Sequence, residues 1–290
     1  MPEHALDRTE QFVGHEGQAR LRSLSAVIVG GGGLGTHLAQ QLAFFRVGKL
    51  AVIDAGRFKE SSRNRYVGSR HDDPAGIPKV ELVKRMVGEI EPATEILTLD
   101  DTFVSEQGFE VIAGADYVFG CVDKDGARLV LNELCSAYKR PYIDVATEIP
   151  PDDVRRFGGR VCIADGGKSC LYCLGVLDLD EARRQLGGPE LERDHRRIYG
   201  VDAAALPGGG PAVVSINGVL ASLAATEFLV WATGLRKPHR LLSYRGAQGK
   251  VTVSVDPPSP ECIHCRGVFG QGAAANVERY IAAGVGVWLR

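Results

Sequence analysis

The stretch Ala26-Val-Ile-Val-Gly-Gly-Gly-Gly-Leu-Gly35 decides the fold of this chain. Its first four residues, Ala26–Val29, form a short β-rich run that leads directly into the glycines. Thr36–Phe45 then has the apolar spacing of a helix, and a second apolar run, Lys49–Ile53, ends at Asp54. Strand, glycine loop, helix and strand in this order predict a βαβ unit, and therefore a parallel sheet buried on both faces.

The glycines in this unit are spaced as Gly30-x-Gly32-x-x-Gly35. Glycine lets the backbone approach a phosphate closely, and the N-terminus of the following helix offers N–H groups and a partial positive charge. Asp54 ends the next strand, 19 residues after Gly35, where a carboxylate can accept ribose hydroxyls. The pattern therefore indicates a nucleotide site but leaves NAD, FAD and ATP open.

A run of cations follows Asp54 and favours a triphosphate. A triphosphate carries about twice the charge of a dinucleotide's two phosphates, and its leaving pyrophosphate needs cations to stabilise it. Any single member of the run can equally be a solvated basic residue on a loop. The run consists of Arg57, Lys59, Arg63, Arg65, Arg70 and Lys79.

Further periodic segments complete the predicted sheet. The first half continues with helix, strand, strand, helix and strand, and the second half changes to antiparallel strands with a charged helix, a hinge and a buried apolar helix. In chain order the segments are Lys79–Ile90, Thr94–Leu99, Tyr117–Val122, Gly126–Tyr138, Tyr142–Ala146, Arg155–Ile163, Asp178–Ile198, Pro207–Pro211, Gly208–Leu235 and Lys250–Val255.

Composition limits the class of protein. The chain has 290 residues and a formal net charge of −2, which argues against a dedicated binder of nucleic acid or anionic membranes. The start of the sequence has no basic-then-apolar targeting pattern, and the apolar Gly208–Leu235 stretch contains Asn217 and Glu227. We therefore expect a cytoplasmic protein without a membrane span.

Four of the seven cysteines form two Cys-x-x-Cys pairs, Cys170/Cys173 and Cys262/Cys265. An odd number of cysteines argues against a complete set of secreted disulfides, and paired Cys-x-x-Cys motifs are typical of a tetrahedral structural zinc site. A redox dithiol and plain buried cysteines are the alternatives. The pairs lie far apart in the chain, so the sequence alone leaves open whether they meet.

Several motifs together resemble one family, the ubiquitin-activating-like adenylyltransferases of the ThiF, MoeB and HesA type. The resemblance covers about residues 8–266 and no single motif carries it. The matching segments are Arg8-Thr-Glu-Gln11 with Glu16-Gly-Gln18, the glycine loop, Ser61-Ser-Arg-Asn-Arg65, Gly76-Ile-Pro-Lys79-Val-Glu, Cys121-Val-Asp123, Arg140-Pro-Tyr-Ile, Val214-Ser-Ile-Asn-Gly-Val with Ala225-Thr-Glu227, and both cysteine pairs.

The resemblance implies an α/β fold: a Rossmann-like, mostly parallel sheet with helices on both faces, extended by antiparallel strands and a zinc site of four cysteines. It implies one adenylation domain over residues 1–290, with a nucleotide-binding half at about 1–150. The antiparallel extension, zinc pairs and crossover segment occupy about 151–270, and the tail 271–290 is unassigned.

The resemblance also implies a role for each matching residue. The glycines would cradle ATP, Asp54 would hold the ribose, Asp123 would organise Mg²⁺, and the cations would contact phosphates, Arg8 reaching across a homodimer. Two departures stand out: Gly56 occupies the place of a second acidic residue, and Asn64 lies two positions late in its motif. The implied site residues are Gly30, Gly32, Gly33, Gly35, Asp54, Asn64, Arg65, Lys79, Asp123 and Arg8, with Cys170, Cys173, Cys262 and Cys265 as zinc ligands.

The expected reaction is ATP-dependent adenylation of the C-terminal carboxylate of a small ubiquitin-like or sulfur-carrier protein ending in glycine. The alternatives are an NAD-dependent oxidoreductase, which leaves Arg65 and Lys79 unexplained, and a catalytically inactive scaffold that binds a ubiquitin-like partner. The remaining thiols, Cys121, Cys135 and Cys162, are expected to be inert, with Asp123 raising the pKa of Cys121. The acyl-adenylate would then pass directly to an external nucleophile.

Overall fold

The computed structural model describes residues 7–150, 153–188, 211–265 and 270–289. In these ranges eight strands alternate with helices along the chain. The strands are β1 (Ser25–Val29), β2 (Lys49–Ile53), β3 (Glu95–Leu99), β4 (Tyr117–Gly120), β5 (Tyr142–Glu148), β6 (Gly158–Ala164), β7 (Leu241–Arg245) and β8 (Lys250–Val253). The helices are α1 (Asp7–Ser23), α2 (Gly33–Phe44), α3 (Lys79–Ile90), α4 (Glu106–Gly114), α5 (Asp125–Ala137), α6 (Leu179–Leu186), α7 (Val214–Ala232) and α8 (Arg279–Ala282).

The strands form one continuous sheet in the order β3-β2-β1-β4-β5-β6-β7-β8. The first five positions in this order are parallel, and β6, β7 and β8 are each antiparallel to the strand before them. The predicted fold class is therefore confirmed. The chain builds outward from β1 in one direction and then crosses back to β4, so the strand order reverses between β1 and β4.

Helices cover both faces of the sheet, as the apolar strand sequences predicted. On one face α1, α2, α3 and α7 enclose a core that includes Leu38, Val83 and Phe228. On the other face α4 and α5 pack through residues such as Ile112 and Leu134. This burial on both faces is the reason that the parallel strands have nearly continuous apolar sequences.

The predicted buried apolar helix is α7, which begins at Val214 and ends at Ala232. Its length and hydropathy would also fit a membrane span, but 56% of that window is buried inside the protein. Glu227 within it is 2% exposed and accepts hydrogen bonds from the Arg236 guanidinium and the His239 amide. A helix buried to this degree, with a paired carboxylate, is a core helix.

Among the elements that the sequence did not predict are α4, β7 and the short α8 in the C-terminal tail. A strand of five residues such as β7 depends on pairing with β6 and β8, and that pairing is not visible in a local pattern. Several boundaries also differ by a few residues; β4 ends at Gly120 rather than Val122, β6 begins at Gly158 rather than Arg155, and β5 continues to Glu148 rather than ending at Ala146. The predicted charged helix 178–198 is described only as α6, because residues 189–198, like most of the predicted hinge, lie outside the described ranges.

The C-terminal tail, to which the sequence assigned no role, packs on the second face of the sheet. Val285 and Leu289 are 2% and 8% exposed, and Lys124 Nζ donates a hydrogen bond to the Trp288 carbonyl at 2.8 Å. The tail therefore covers apolar surface at the start of α5.

The packing of α7 predicts an unequal response of two leucines. Leu220 is fully buried between α7 and the sheet, so Leu220→Ala should lower the free energy of unfolding by about 2–5 kcal/mol. Leu235, just after α7, is 47% exposed, and Leu235→Ala should change the free energy of unfolding by less than about 1 kcal/mol. Urea denaturation of both variants measures the difference, and equal losses would contradict the burial of α7.

Candidate functional site

A crevice opens where the strand order reverses, between the loops that follow β1 and β4. The two loops lie side by side because the Cys121 amide donates to the Val29 carbonyl at 2.8 Å, and the Gly30 amide holds the first loop against the end of β2 by donating to the Ile53 carbonyl at 2.9 Å. In open α/β sheets, ligands bind outside the carboxyl ends of the strands at such a reversal. The predicted glycine loop and Asp123 both lie at this edge.

The glycines of this loop fall into two groups. Gly30 has φ +101°, and a Cβ there would lie 2.5 Å from the Cys121 carbonyl oxygen. A Cβ at Gly35 would lie 1.9 Å from the Gly30 oxygen, and one at Gly33 would lie 2.4 Å from Nδ2 of the buried Asn217. Backbone contacts therefore require glycine at Gly30 and Gly35, and a side chain at Gly33 would have to displace the Asn217 amide.

Gly32 differs, because among the described atoms nothing lies within 4 Å of where its Cβ would stand. It is the N-cap of α2, and no side chain in the described part of the chain caps that helix end. The open side of the loop thus coincides with the positive end of a helix. Backbone N–H groups arranged in this way bind phosphate.

Asp54 holds the loop through both of its carboxylate oxygens. Oδ2 accepts the Gly31 amide at 2.7 Å and Oδ1 accepts the Gly56 amide at 2.6 Å, while Lys79 Nζ lies 3.5 Å from Oδ1. Tyr66 donates its hydroxyl to the Lys79 carbonyl at 2.8 Å, which anchors the first turn of α3. The structure therefore brings Asp54 and Lys79 together beside the glycines.

Gly56, which departs from the family pattern, has a packing role here. A Cβ at this position would lie 2.7 Å from Asp54 Oδ1 and 2.8 Å from Lys79 Nζ. An acidic side chain would therefore displace the lysine head from its present position beside Asp54. The glycine keeps the Asp54–Lys79 pair compact.

The cationic run divides into paired and less constrained members. Arg57 pairs with Asp100 at 2.5 Å, and Arg70 pairs with Glu89. Arg65 has no carboxylate partner among the described residues. Its guanidinium donates to the Ser61 carbonyl at 2.6 Å and to the Asn64 side chain at 3.2 Å. The backbone oxygen of Arg65 faces Gly33, so the turn that carries Arg65 lies against the glycine loop.

Arg63, two residues earlier, serves the structure of the loop. It makes two hydrogen bonds to Glu60 and donates to the carbonyl oxygens of Arg70 and Asp73 at 2.5 and 3.0 Å. Its guanidinium also lies over the Phe58 ring at 5.1 Å. These contacts clamp the 3₁₀ turn Glu60–Arg65 to the following loop, and they orient the turn that carries Arg65.

Asp123 and Arg8 are exposed, as is Asn64. Asp123 lies in the loop after β4 at the crevice, with its side chain exposed. Arg8 is exposed in the first turn of α1, where in the described part of the chain it makes no hydrogen bond or ion pair with the other predicted residues. Within one chain, therefore, the structure gathers the glycines, Asp54, Asn64, Arg65, Lys79 and Asp123, and leaves Arg8 apart.

A buried charge cluster beneath the crevice was missed by the sequence reasoning. Asp144 on β5 is fully buried, with Arg128 Nε at 3.3 Å, Arg160 Nη2 at 3.7 Å and the Tyr142 hydroxyl donating at 3.1 Å. Burial raises the pKa of Asp144, and the two guanidinium groups oppose that rise. An aspartate inside the apolar run Tyr-Ile-Asp-Val-Ala was the signal that could have found it.

The two cysteine pairs meet. Cys170 and Cys173 follow β6, Cys262 and Cys265 follow β8, and the four sulfur atoms all lie within 4.8 Å of one another. The thiol and amide of Cys170 donate hydrogen bonds to Cys173, and they lower the pKa of Cys173. Four thiolates at Zn–S distances of about 2.3 Å stand about 3.8 Å apart in a tetrahedron, so this donor set fits a structural Zn²⁺.

The other thiols are shielded. Cys135 and Cys162 are buried and Cys121 is half-buried. Burial raises the pKa of all three. For Cys121 the second cause is Asp144 rather than the expected Asp123, because Asp144 faces the thiol from the neighbouring strand. These groups are therefore poor thiolates.

Comparison with known proteins identifies relatives of the chain. The ThiF family model matches residues 6–266. HesA from Leptolyngbya boryana is 29% identical over 223 residues, which cover 77% of this chain and 69% of that protein. The SAMP-activating enzyme E1 of Haloferax volcanii is 32% identical over 162 residues, covering 56% of this chain and 57% of that protein.

Solved structures share the fold. The crystal structure of E. coli MccB with MccA-N7isoASN superimposes with a TM-score of 0.71 at 19% identity, and the match covers 90% of this chain and 74% of MccB. At that identity the likeness concerns the fold alone. It extends across both the parallel and the antiparallel halves of the sheet.

Proposed function

The chain belongs to the ThiF family, and from that premise we propose that it uses ATP to adenylate the C-terminal carboxylate of a small protein. The substrate class is a ubiquitin-like or sulfur-carrier protein that ends in glycine. One relative is named as a SAMP-activating E1, which supports a carrier-type substrate. The proposal covers one adenylation domain over residues 1–290 of a cytoplasmic homodimer that binds neither nucleic acid nor membrane.

One observation carries this proposal: the turn that carries Arg65 packs against the glycine loop at the N-terminus of α2, and Lys79 stands at the Asp54 carboxylate that holds the same loop. Gly32 faces unfilled space, Arg65 lies against Gly33 without a carboxylate partner in the described ranges, and Lys79 stands beside Asp54. A dinucleotide's phosphates are satisfied largely by a helix end and backbone amides. Extra cations at the same place suit a triphosphate, whose leaving group gains charge during transfer.

We assign the ligand contacts as follows. The backbone at Gly30, Gly32, Gly33 and Gly35 would cradle the phosphates, Arg65 and Lys79 would bind them, and Asn64 would orient Arg65. Each carboxylate oxygen of Asp54 accepts one backbone amide. The second lone pair on these oxygens would accept a ribose hydroxyl. The exposed carboxylate of Asp123 would hold Mg²⁺, which neutralises phosphate charge when bound.

The chemistry needs alignment rather than a general base. A carboxylate oxygen of the substrate forms a bond to the α-phosphorus, the bond to the bridging oxygen of pyrophosphate breaks, and the electron pair leaves on pyrophosphate. The substrate carboxylate is already ionised at pH 7. The residues of this chain therefore contribute by holding the two reactants in line and by stabilising the charge on the leaving group.

The acyl-adenylate would then pass to an external nucleophile such as a thiol, a sulfur donor or an amine. A thioester on this chain would need a thiolate near the crevice. Of the three remaining thiols, Cys121 is the nearest in sequence to Asp123 at the crevice. Burial together with Asp144 raises the pKa of Cys121. Direct transfer with release of AMP is therefore the favoured course.

The alternatives differ in what they leave unexplained. An NAD-dependent oxidoreductase gives no function to Arg65 and Lys79 and does not agree with the family match. An inactive scaffold would bind a ubiquitin-like partner without turning over ATP. The departures at Gly56 and Asn64 are the sequence features that favour this second alternative, yet Gly56 fits compactly between Asp54 and Lys79.

Exchange of labelled pyrophosphate into ATP, with a recombinant sulfur-carrier protein ending in Gly-Gly, tests the activity. Arg65→Ala and Lys79→Ala should each lower the exchange rate by about 10²-fold or more, since each removes one charge partner of the leaving group. The matched control is Arg70→Ala from the same run, whose guanidinium is engaged by Glu89, and its rate should stay within about threefold. Exchange unaffected in both test variants would overturn the assignment, and no exchange by the unaltered chain would favour the scaffold.

Mixing of inactive variants tests the homodimer with shared sites. If Arg8 of one subunit completes the site of the other, equimolar Arg8→Ala and Lys79→Ala chains should recover about one quarter of the normal activity. Half of the dimers would be hybrids, each with one intact site of two. The control mixture is Arg65→Ala with Lys79→Ala, which leaves no intact site and should recover nothing. A monomer with full activity would contradict the sharing.

Metal analysis tests the cysteine cluster. We expect one zinc per chain in protein purified without chelator, and Cys262→Ser should lose the metal and unfold at a lower temperature, because metal binding is coupled to the folded state. Cys162→Ala, which removes a buried thiol outside the cluster, should retain the zinc. Zinc-free protein of unchanged melting temperature would contradict a structural role for the metal.

A further inference from the structure

A second cleft, of about 510 Å³, lies over the antiparallel part of the sheet. It begins at the carboxyl end of β5, where Ala146 and Glu148 line it, and extends across β6 and β7. The glycine loop and Asp123 follow β1 and β4, which are parallel to β5. The cleft is therefore on the same edge of the sheet as the nucleotide crevice, displaced sideways along it.

The cleft stays open because its floor has small side chains. Ala146 pairs with Arg160 and Gly158 pairs with Arg245, while Ser243 stands opposite Arg160. A Cβ at Gly158 would lie 2.1 Å from the Tyr244 carbonyl oxygen, so this position admits no side chain. The backbone geometry of β6 and β7 therefore keeps the middle of the floor bare.

The walls of the cleft are positively charged. Arg156, Arg160 and Arg245 line it, and Glu148 is the only carboxylate among its lining residues. Arg160 is directed toward the buried Asp144, with Nη2 at 3.7 Å. Arg156 and Arg245 are exposed, and within the described residues neither forms an ion pair. Two guanidinium groups are thus available to a ligand.

We propose that this cleft receives the tail of the carboxylate substrate and selects a tail with an acidic side chain upstream of its C-terminus. The inference rests on the proposed adenylation and adds the substrate's charge pattern to it. Arginine presents a planar fork that binds a carboxylate through two parallel hydrogen bonds, and a half-enclosed cleft strengthens that contact. Arg156 and Arg245 are the selecting residues.

The spacing of strands sets where the acidic residue lies. Neighbouring strands stand about 4.8 Å apart, so Arg245 on β7 is about 14 Å from the line of β4, where the carboxylate would react. An extended chain advances about 3.3–3.6 Å per residue, so this distance corresponds to about four residues. The acidic side chain is therefore expected three to five residues before the terminal carboxylate.

The test uses fluorescein-labelled octapeptides ending in Gly-Gly with a free carboxylate. Three versions of the peptide are compared. They have Asp, Asn or Lys, respectively, at all three positions that lie three to five residues before the terminal carboxylate. Anisotropy titrations with the full chain, without ATP, should give a dissociation constant for the Asp peptide at least about 10-fold lower than for the Asn peptide, and weakest binding for the Lys peptide. Equal affinities, or binding of none of the peptides, would overturn the proposal.

A charge reversal supplies the matched comparison. Arg245→Glu should invert the order, so that the Lys peptide binds more tightly than the Asp peptide. Arg240→Glu, at the other end of the β7 segment and outside the cleft, should leave the order as in the unaltered chain. Loss of affinity for all peptides in Arg245→Glu, without inversion, would contradict selection by charge.

Pyrophosphate exchange with the same peptides separates this proposal from the proposed function. Selection in the cleft predicts a lower KM for the Asp peptide with similar kcat for all peptides. Exchange that proceeds with equal KM values would leave adenylation standing and overturn the cleft assignment. Charge-selective binding without any exchange would overturn the adenylation and leave the charge preference of the cleft.

Discussion

The backbone at Gly30 approaches the carbonyl of Cys121 so closely that any side chain would collide with it, and the candidate site depends on this contact. It fixes the loop after β1 against the loop after β4, at the reversal of the strand order. From there Gly35 closes on Gly30, and α2 starts in a direction that leaves Gly32 facing open space. An open backbone position at a helix end thus follows from packing that would be needed even without a ligand.

Charge in this molecule is divided between structure and chemistry. Arg63, Arg85 and Arg128 are engaged by carboxylates or carbonyl oxygens close to them, and they hold loops and strand ends in place. Arg65, Arg156 and Arg245 are left without such carboxylate partners in the described ranges. Surface ion pairs contribute little to stability, so arginines that lack one cost the fold little. This distribution leaves cations at the two openings on one edge of the sheet.

The cysteine cluster and the buried Asp144 tie the antiparallel half to the parallel half. The four sulfur atoms bring the turn after β6 next to the segment after β8. The outer strands β7 and β8 therefore lie in the chain between two segments that meet at the cluster. Asp144 links β5 to α5 through Arg128 and to β6 through Arg160. A carboxylate buried in this way is costly unless both guanidinium groups stay in place, so the network resists displacement of β6 relative to β5. The cleft and the crevice consequently share a rigid floor.

The sequence by itself determined the βαβ unit, the glycine loop, the core helix α7 and the two cysteine pairs, because each is a signal within a short window of residues. It could not separate Arg63 from Arg65, which are two positions apart in one basic run. The difference is made by Glu60, Phe58 and the carbonyl oxygens of Arg70 and Asp73, which contact Arg63. Nor could it find β7, whose pairing partners lie far away in the chain, or the bare floor between Ala146 and Gly158. Local patterns record which surfaces are buried, whereas contacts between distant segments decide which charged groups are satisfied and which are left for a ligand, and those contacts exist only once the sheet has closed.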